Sequence, residues 1–566
     1  MKKILKGISL VLAATSVVSL ASCFGGGGAT GNSGTQAINK DMTQLYIHNY
    51  GGGFGSDWLK AAAKRFEDLH KDDVLEEGKK GIQIVIDSNK KTFAQLKTTM
   101  LDDRSEIYFQ ESASYTQLIN EGLVLDISDA VTDNLSAYGD SRSIYDKMNP
   151  EQRAYYAIDK NGETHYYAIP HYTGFFGIQY NIDLFNQYGY YFAQTPVGTT
   201  LEGKFISKAN PKKSVGLDKV EGTSDDGLPT TYDEFFSLCD FIADSGNVPV
   251  SWAGETYLVY LQLMETALWA DAEGLEQTML TFKLDGQANT LSTIQNGQLV
   301  KDAQPTQITA DNGYELARQA GRYYALKFMD KLMKTDKYHN ELCYNGGYTF
   351  TSVQEDFLFG GVDGVTKPVA MMLEGSWWQS EASYTFEQMG QVYGNDYLAK
   401  NRNFGIMPFP KPTAEMAAQN TGNTMLAAVD SIAYIKSNIA DFKKDLAIEF
   451  LRFVNTDESL REFTTITNTK KMLDYSMGDD INNLTPYGRN LLTLTAASDI
   501  VFPMTQTPVY INNSSELGSI AWFSTKYDSV GKRDCIPVLK ETTVSVDTIF
   551  TGLYTYKESI WNSIKR

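Results

Sequence analysis

The sequence predicts an α/β protein in which a mostly parallel sheet is flanked by helices. The first observation is the alternation of strand-like and helix-like segments over residues 41–120, which is typical of βαβ units. The second is the stretch at 166–189, YYAIPHYTGFFGIQYNIDLFNQYG, where strand-like segments lead directly into a helix. The third is the composition: 42% hydrophobic and 21% charged residues indicate a folded chain, and 566 residues predict two or three lobes.

The first residues carry lysines, and an apolar run at 8–20 follows that is too short to span a membrane stably. This run ends in Leu-Ala-Ser-Cys, which resembles a bacterial lipobox, so Cys23 is expected to receive a diacylglycerol. We expect a signal peptide at 1–22 and a lipidated flexible tether at 23–40. The lipid would hold the mature protein at the extracellular face of the bacterial cell membrane. The alternative is a plain secretory signal with an incidental cysteine.

The charge balance and the cysteines exclude several classes of function. A net charge of −19 argues against nucleic acid and against an anionic membrane surface as partners. Beyond Cys23, the three cysteines Cys239, Cys343 and Cys535 are far apart, and an odd number cannot all pair. We expect each to be a small buried hydrophobe. No spacing of His, Cys and carboxylates is typical of zinc, so no metal or cofactor is expected.

A glycine-rich loop, GGGFG at 51–55, separates a strand predicted at 45–50 from a helix predicted at 57–70. It is not a dinucleotide-binding motif, because position 56 is serine and no GK[ST] follows. We interpret it as a sharp loop whose backbone N–H groups face a ligand. Ligands of parallel sheets bind beyond the carboxyl ends of the strands, where the loops 49–56 and 110–115 fall.

The stretch at 166–189 has its own local signals. Pro170 fixes its φ angle and makes Ile169 extended, which predicts a sharp change of direction between two strands. Residues 173–180 are aromatic and β-branched, as buried strands tend to be. Asn181 is a predicted N-cap, and Gly189 is the predicted end of the helix.

The rest of the chain continues the alternation. A segment at 194–229, rich in Gly, Lys, Asp, Thr and Ser, predicts a surface insertion. Thr230 or Thr231 is the predicted cap of a helix at 232–243. Further predicted elements are helices at 258–270 and 314–333 and strands at 369–373 and 404–410.

Five motifs occur in a fixed order along the chain: YAIPHYTGFFGIQYNIDLF at 167–185, LPTTYDEF at 228–235, VAMMLEGSWW at 369–378, FGIMPFP at 404–410 and AIEFLRFVNTDESL at 447–460. Together they resemble the extracellular solute-binding protein family 1 of ABC importers, the branch like maltose-binding protein. The second motif departs from the family's P-x-T-W-D-E, since Tyr232 replaces the tryptophan.

The resemblance implies a two-lobe periplasmic-binding-protein-like fold. Each lobe would be a mostly parallel sheet flanked by helices, and a multi-crossing hinge would pass near Pro170, 424–434 and Phe502. Lobe 1 would comprise 41–169 and 430–500, and lobe 2 would comprise 170–429 and 501–566. The implied function is binding, without catalysis: a monomer closes on a carbohydrate, expected to be an oligosaccharide, and delivers it to the importer's permease.

The resemblance also implies ligand contacts. Trp377 matches an aromatic platform beneath a sugar ring, whose apolar C–H face suits a flat aromatic side chain. Trp522 resembles a second platform, whereas Trp378 is expected to be buried. The other implied contacts lie in the loops of the first lobe, just after the first crossing and at the end of the strand 369–373; they are Tyr50, Phe54, Gln110, Glu111, Ser112, Tyr172 and Glu374.

Three alternatives remain open. An exported glycosidase could use Glu111 and Glu374 as its carboxylate pair, which requires a separation of roughly 5–10 Å; however, no G-x-S-x-G, H-E-x-x-H or P-loop motif is present. A surface lipoprotein for adhesion would bind protein partners. A binding protein of the same fold could take a non-sugar solute such as a peptide.

Overall fold

The computed structural model describes residues 37–513, 517, 534–541 and 543–565. The predicted signal peptide, Cys23, most of the predicted tether and Trp522 lie outside the described residues. The strands of the described chain are β1 Thr43–Asn49, β2 Ile82–Asp87, β3 Ile107–Glu111, β4 Ile158–Lys160, β5 Glu163–His165, β6 Ile169–Asn181, β7 Val248–Ser251, β8 Gly286–Ala288, β9 Ser292–Gln295, β10 Gln298–Lys301, β11 Thr306–Ile308, β12 Val369–Gly375, β13 Phe404–Met407, β14 Asn423–Ile435 and β15 Ser498–Val501.

Helices cover the sheet. In the described chain they are α1 Asp57–Leu69, α2 Phe93–Thr99, α3 Tyr115–Asn120, α4 Ser128–Thr132, α5 Ile144–Lys147, α6 Pro150–Tyr156, α7 Ile182–Tyr188, α8 Tyr232–Asp244, α9 Tyr257–Lys283, α10 Ala320–Lys334, α11 Phe350–Phe359, α12 Trp378–Glu381, α13 Ser383–Tyr393, α14 Ala414–Gln419, α15 Asp441–Phe453, α16 Asp457–Thr467, α17 Pro486–Ala496, α18 Pro508–Asn512, α19 Cys535–Lys540 and α20 Val546–Ile564. Short 3-10 turns lie at Ser136–Tyr138, Glu202–Lys204, Gly313–Arg318, Asp336–Tyr338, Glu341–Tyr344, Asn395–Tyr397, Ala399–Asn401 and Gly478–Asn483.

Nine strands form one mixed sheet in the order β2-β1-β3-β14-β6-β12-β7, with β13 added to β6 and β15 added to β14. The pairs β1–β2, β1–β3, β12–β7 and β14–β15 are parallel. Every antiparallel pair of this sheet involves β6 or β14. The predicted α/β class is therefore confirmed, and each antiparallel pair of the large sheet contains one of its two long strands, β6 or β14.

These two strands, β6 and β14, are each 13 residues long and lie side by side. The first half of β6 pairs with β14, whereas its second half pairs with β12 and β13. The end of β14 pairs with β3, whereas its beginning pairs with β15. Through their pairing with each other, β14 and β6 thus connect the group of strands that contains β1, β2 and β3 to the group that contains β7, β12 and β13.

The sharp change of direction predicted at Pro170 is wrong. One strand, β6, continues through this residue, and Pro170 pairs with Ile432 beside a register shift in β14. A proline has no N–H group to donate, so it is tolerated where the ladder is already irregular. The helix that follows begins and ends as predicted: the Asn181 side chain accepts a hydrogen bond from the Leu184 N–H, and Gly189 has a φ of 72°.

Two of the predicted helices differ in extent. The helix predicted at 314–333 is broken at Gln319, where a 3-10 turn gives way to α10. The buried amide of Gln319 accepts a hydrogen bond from the Trp269 indole (3.0 Å) and donates one to the carbonyl of Gln277 (2.7 Å), so a tertiary contact determines this break. The helix predicted at 258–270 extends to Lys283 as α9, with a kink at Gly274.

The predicted surface insertion at 194–229 is anchored by aromatic packing. Phe205 stacks on Phe241 of α8 with ring centroids 4.2 Å apart, and it also contacts Phe192.

Within the described residues, the cysteines predicted to be buried are buried and free of disulfides: Cys239, Cys343 and Cys535. No helix in the described part of the chain combines the length and apolarity needed to cross a bilayer.

Candidate functional site

The candidate site lies where β1, β3 and β12 end. Gly53, in the loop after β1, is the point of contact between these ends. A Cβ atom added to Gly53 would lie 3.7 Å from Glu111 Oε1 and 3.4 Å from Trp377 Cβ. The loop after β1, the end of β3 and the residue that follows β12 therefore touch one another, as expected for a site beyond the carboxyl ends of strands.

Glu111, the last residue of β3, is buried and accepts a hydrogen bond from the Tyr172 hydroxyl of β6. The Tyr172 ring packs edge-on against Phe54, with ring centroids 4.8 Å apart. Burial raises the pKa of the Glu111 carboxyl to about 7, although the Tyr172 hydrogen bond and the charge of Lys90 oppose the rise. Three of the predicted contacts thus form one cluster.

Glu374 precedes the last residue of β12 and is fully buried. Its carboxylate accepts hydrogen bonds from the Tyr260 hydroxyl (3.0 Å) and from the Gly375 N–H (2.8 Å). Burial raises the pKa of Glu374 well above its ordinary value, and the neighbouring charge of Glu381 raises it further.

Glu381, the last residue of α12, connects the Glu374 carboxyl group to the glycine-rich loop at 51–55. It accepts a hydrogen bond from the Gln354 side chain (3.1 Å) and another from the backbone of Gly53. Burial raises the pKa of Glu381, whereas these hydrogen bonds and the charge of Lys90 lower it. Two acidic side chains therefore lie within electrostatic reach of each other beside the loop at 51–55.

Trp377 follows β12 and folds back over it. A Cβ atom on Gly375 would lie 2.1 Å from Trp377 Cζ2, so the indole rests directly on the glycine backbone. Trp377 is 2% exposed, and Gly53 of the loop at 51–55 lies beside its Cβ and Cγ atoms. Trp378 is fully buried against Phe357 and Phe404, as predicted.

The other predicted contacts lie beside this cluster. Tyr50 is buried, and the Lys90 ammonium lies 5.8 Å from the centroid of its ring. The Gln110 amide donates to the carbonyl of Lys91 (3.2 Å) and so holds the neighbouring loop. Ser112 has a φ of 52°, and its N–H donates to the carbonyl of Asp430 (3.0 Å). Gln110 and Ser112 therefore bond the backbone of adjacent segments.

No protein-family model and no curated protein sequence matches the chain. Solved structures match it along almost all of its length. A chitin oligosaccharide binding protein has a TM-score of 0.52 at 14% identity, covering 93% of this chain and 99% of that protein. The binding protein RafE in complex with raffinose has a TM-score of 0.51 at 15% identity, and the match covers 93% of this chain and 100% of RafE.

The GacH receptor of Streptomyces glaucescens, described in its unliganded form and with acarbose, has a TM-score of 0.52 at 13% identity, covering 92% and 98%. The chain has a periplasmic-binding-protein-like fold. The likeness to these three proteins is one of fold, and within that fold the candidate site lies beside the two long strands β6 and β14.

Four residues that complete the site in this periplasmic-binding-protein-like fold were not predicted: Lys90, Tyr260, Gln354 and Glu381. One of them had a usable signal, because Lys90 follows β2 and parallel strands direct their ends to the same edge of a sheet. Glu381 ends a helix of four residues that has no periodicity to detect. Tyr260 and Gln354 lie in helices that reach the site only through tertiary packing.

Proposed function

We propose that the chain is the substrate-binding lipoprotein of an ABC importer. It would capture an extracellular oligosaccharide by closure of two lobes and deliver it to the membrane permease. Lobe 1 would consist of 41–169 and 430–500, and lobe 2 of 170–429 and 501–566. A lipid on Cys23 would anchor the monomer at the extracellular face of the bacterial cell membrane. The observation that carries this proposal is the contact of the loop at 51–55 and Glu111 with the end of β12.

Carbohydrate is the proposed ligand because flat aromatics and buried acceptors occur together at the site. A sugar ring has apolar C–H faces, which suit Trp377, Tyr50 and Phe54, and a rim of hydroxyl groups that can donate hydrogen bonds. Glu111 and Glu374 supply carboxylate oxygens to accept them. The proteins of similar fold are described as binding chitin oligosaccharide, raffinose and acarbose, which agrees with this class of ligand.

Closure is the proposed mechanism because the contacts at the site join the two proposed lobes. Gly53 belongs to lobe 1, whereas its neighbours Trp377 and Glu381 belong to lobe 2. These contacts exist only when the lobes approach each other, so a ligand that touches both sides shifts the equilibrium towards the closed form. The strands β6 and β14 run between the lobes and would bend at the hinge.

The test is a titration of intrinsic tryptophan fluorescence on protein that lacks residues 1–23, against a panel of oligosaccharides. We expect a saturable change with one class of glycan and no product. Because Trp377 is the proposed platform, Trp377→Ala should weaken binding at least about tenfold, which corresponds to 1.4 kcal/mol. The control Trp561→Phe removes an indole from α20, outside the site, and should leave Kd unchanged.

Two other outcomes would replace the proposal. Saturable binding of peptides, without a response to any glycan, would keep the fold and overturn the carbohydrate assignment. The raised pKa values of Glu111 and Glu374 favour the enzyme alternative, since a general acid needs such a shift. Hydrolysis of a glycan by the pure protein, abolished by Glu374→Gln, would establish that alternative.

A further inference from the structure

Among the residues that the structure describes, the candidate site contains more carboxyl groups than cations. Glu111 and Glu381 lie against Gly53 of the loop at 51–55, Glu374 lies within electrostatic reach of Glu381, and Asp430 adds its charge to the field that acts on Glu111. The positive charge that favours ionisation of Glu111 and Glu381 comes from Lys90. This lysine is exposed at the edge of the site, whereas Glu111 and Glu374 are buried.

Neutral groups supply the hydrogen bonds that these carboxylates accept. Glu111 accepts from a tyrosine hydroxyl, Glu374 from a tyrosine hydroxyl and a backbone N–H, and Glu381 from a glutamine amide and a backbone N–H. An ionised carboxylate offers about four acceptor positions, so each group retains acceptor capacity beyond these bonds. An ionised carboxylate buried among neutral donors is costly, so burial favours the protonated form of these groups, and a cation that binds beside them favours the ionised form.

We infer that the ligand itself supplies the missing positive charge, so that the site selects sugars bearing a free amino group and rejects acidic sugars. The inference rests on the carbohydrate function proposed above. It follows from the positions of Glu111 and Glu381 against Gly53, of Glu374 beside Glu381, and of Lys90 at the edge of the site.

An ammonium group suits this arrangement for two reasons. It carries three N–H donors, which can fill acceptor positions on more than one carboxylate. Its charge also compensates for carboxylates removed from water, where a hydroxyl group contributes a donor alone. A uronate would bring a like charge to within a few ångströms of the same carboxylates, which disfavours its binding. The net charge of −19 on the whole chain acts in the same direction.

The test uses isothermal titration calorimetry on protein that lacks residues 1–23. The probes are tetrasaccharides, compared only with others of the same linkage. The first set is β-1,4-linked glucosamine, its fully N-acetylated form and a β-1,4-linked uronate. The second set is built in the same way on α-1,4-linked galactosamine. We expect the free-amine form to bind at least about tenfold more tightly than the acetylated form of the same set. The uronate should show no binding.

Variants identify the groups responsible for the preference. Glu374→Gln and Glu381→Gln should reduce the tenfold preference to about threefold or less, since each removes a carboxyl group that can ionise and pair with the ammonium. Glu387→Gln, at an exposed position of the neighbouring α13, is the matched control and should leave the preference intact. Lys90→Met removes the competing cation from an exposed position. It should therefore strengthen amine binding even where a buried variant fails to fold.

The outcomes separate this inference from the proposed function. Tighter binding of the acetylated forms, binding of the uronate, or binding of neutral glycans alone would overturn the charge preference and keep the carbohydrate function. Spermidine is a further probe, because it is an amine without a sugar. Its binding without binding of any glycan in the panel would overturn the carbohydrate function and keep the preference for a cation. Absence of binding to every amine tested would overturn the inference.

Discussion

At the scale of single residues, Glu111 links the stability of the fold to pH. Its carboxyl group is 7% exposed, and burial raises its pKa from the ordinary 4.5 to about 7. Below about pH 4.5 the group is protonated in both the folded and the unfolded chain. Between about pH 4.5 and 7 the folded state holds the proton more tightly, so the free energy of unfolding falls as the pH rises through this window.

Glu111→Gln should remove this loss of stability, because glutamine is neutral at every pH and still accepts the Tyr172 hydrogen bond. One pKa unit corresponds to about 1.4 kcal/mol, so we expect the variant to be more stable than the parent by on the order of 3 kcal/mol at pH 8. At pH 5 the two should differ little. Urea unfolding at both pH values measures the difference, with the exposed Glu387→Gln as the control. A variant that is less stable than the parent at pH 8 would contradict the prediction.

The sequence predicted site residues that lie at the ends of strands, and it did not predict those that lie within helices. Glu111 and Trp377 were predicted from the family resemblance, and both lie at the ends of recognisable strands, where ligands of α/β sheets bind. Glu381 and Tyr260 could not be predicted in the same way, because their approach to the site depends on how α12 and α9 pack. The adjacent residues Gln110 and Ser112 were also predicted as contacts, and the structure gives both of them bonds to neighbouring backbone.

At the scale of elements, the end of β12 determines where the Trp377 ring lies. The indole rests on Gly375, and an alanine there would place its Cβ atom 2.1 Å from the ring. Because that distance is far below van der Waals contact, the ring must move away from the strand. The movement would disturb the packing of Trp377 beside Gly53 of the loop at 51–55.

Gly375→Ala should therefore weaken glycan binding at least as much as Trp377→Ala, by about tenfold or more. Gly346→Ala is the matched control, because a Cβ atom there meets no atom within 4 Å. Fluorescence titration with the responding glycan measures both, and circular dichroism checks that both variants are folded. Equal affinities of Gly375→Ala and Gly346→Ala for the glycan would show that the position of the Trp377 ring does not matter for binding.

Local patterns predicted the existence of elements better than their extent. The caps of α7 and α8 were read correctly, since Asn181 and Thr231 accept hydrogen bonds from N–H groups that follow them in the chain. The predicted turn at Pro170 was wrong because a proline sits in a strand wherever its ladder is irregular. The break at Gln319 could not be predicted because it depends on hydrogen bonds to α9.

At the scale of the whole molecule, alternation of strands and helices was enough to predict the α/β class. It did not predict the order of the strands, since β14 pairs with β3 and β6 although it lies far from both in sequence. Local periodicity contains no information about such distant partners. The resemblance of the five motifs to solute-binding proteins supplied the expectation of three crossings between two lobes. The strands β6 and β14 cover two of the three positions, and the division into lobes stays a prediction.

The proposed lipid anchor leads to a prediction for the intact chain. In a bacterium that processes lipoproteins, the full-length protein should fractionate with the membranes and require detergent for release. Cys23→Ala should move most of it to the soluble fraction, because the apolar run at 8–20 is too short to anchor it. Ser33→Ala, within the proposed tether, is the control and should stay with the membranes. Membrane retention of the Cys23→Ala protein would contradict lipidation at this site.

The position of β14 in the sheet also governs when the fold can form. Ile107 of β3 pairs with Ile435 of β14, so the centre of the sheet is completed only after most of the chain has left the ribosome. Pairings between residues so distant in sequence form slowly, because a long loop must close before they form. For a polypeptide that is exported as proposed, this late closure keeps the earlier part unfolded and able to thread through a translocation channel. If the chain is exported as proposed, the strand order itself would delay folding until the chain has reached the far side of the membrane.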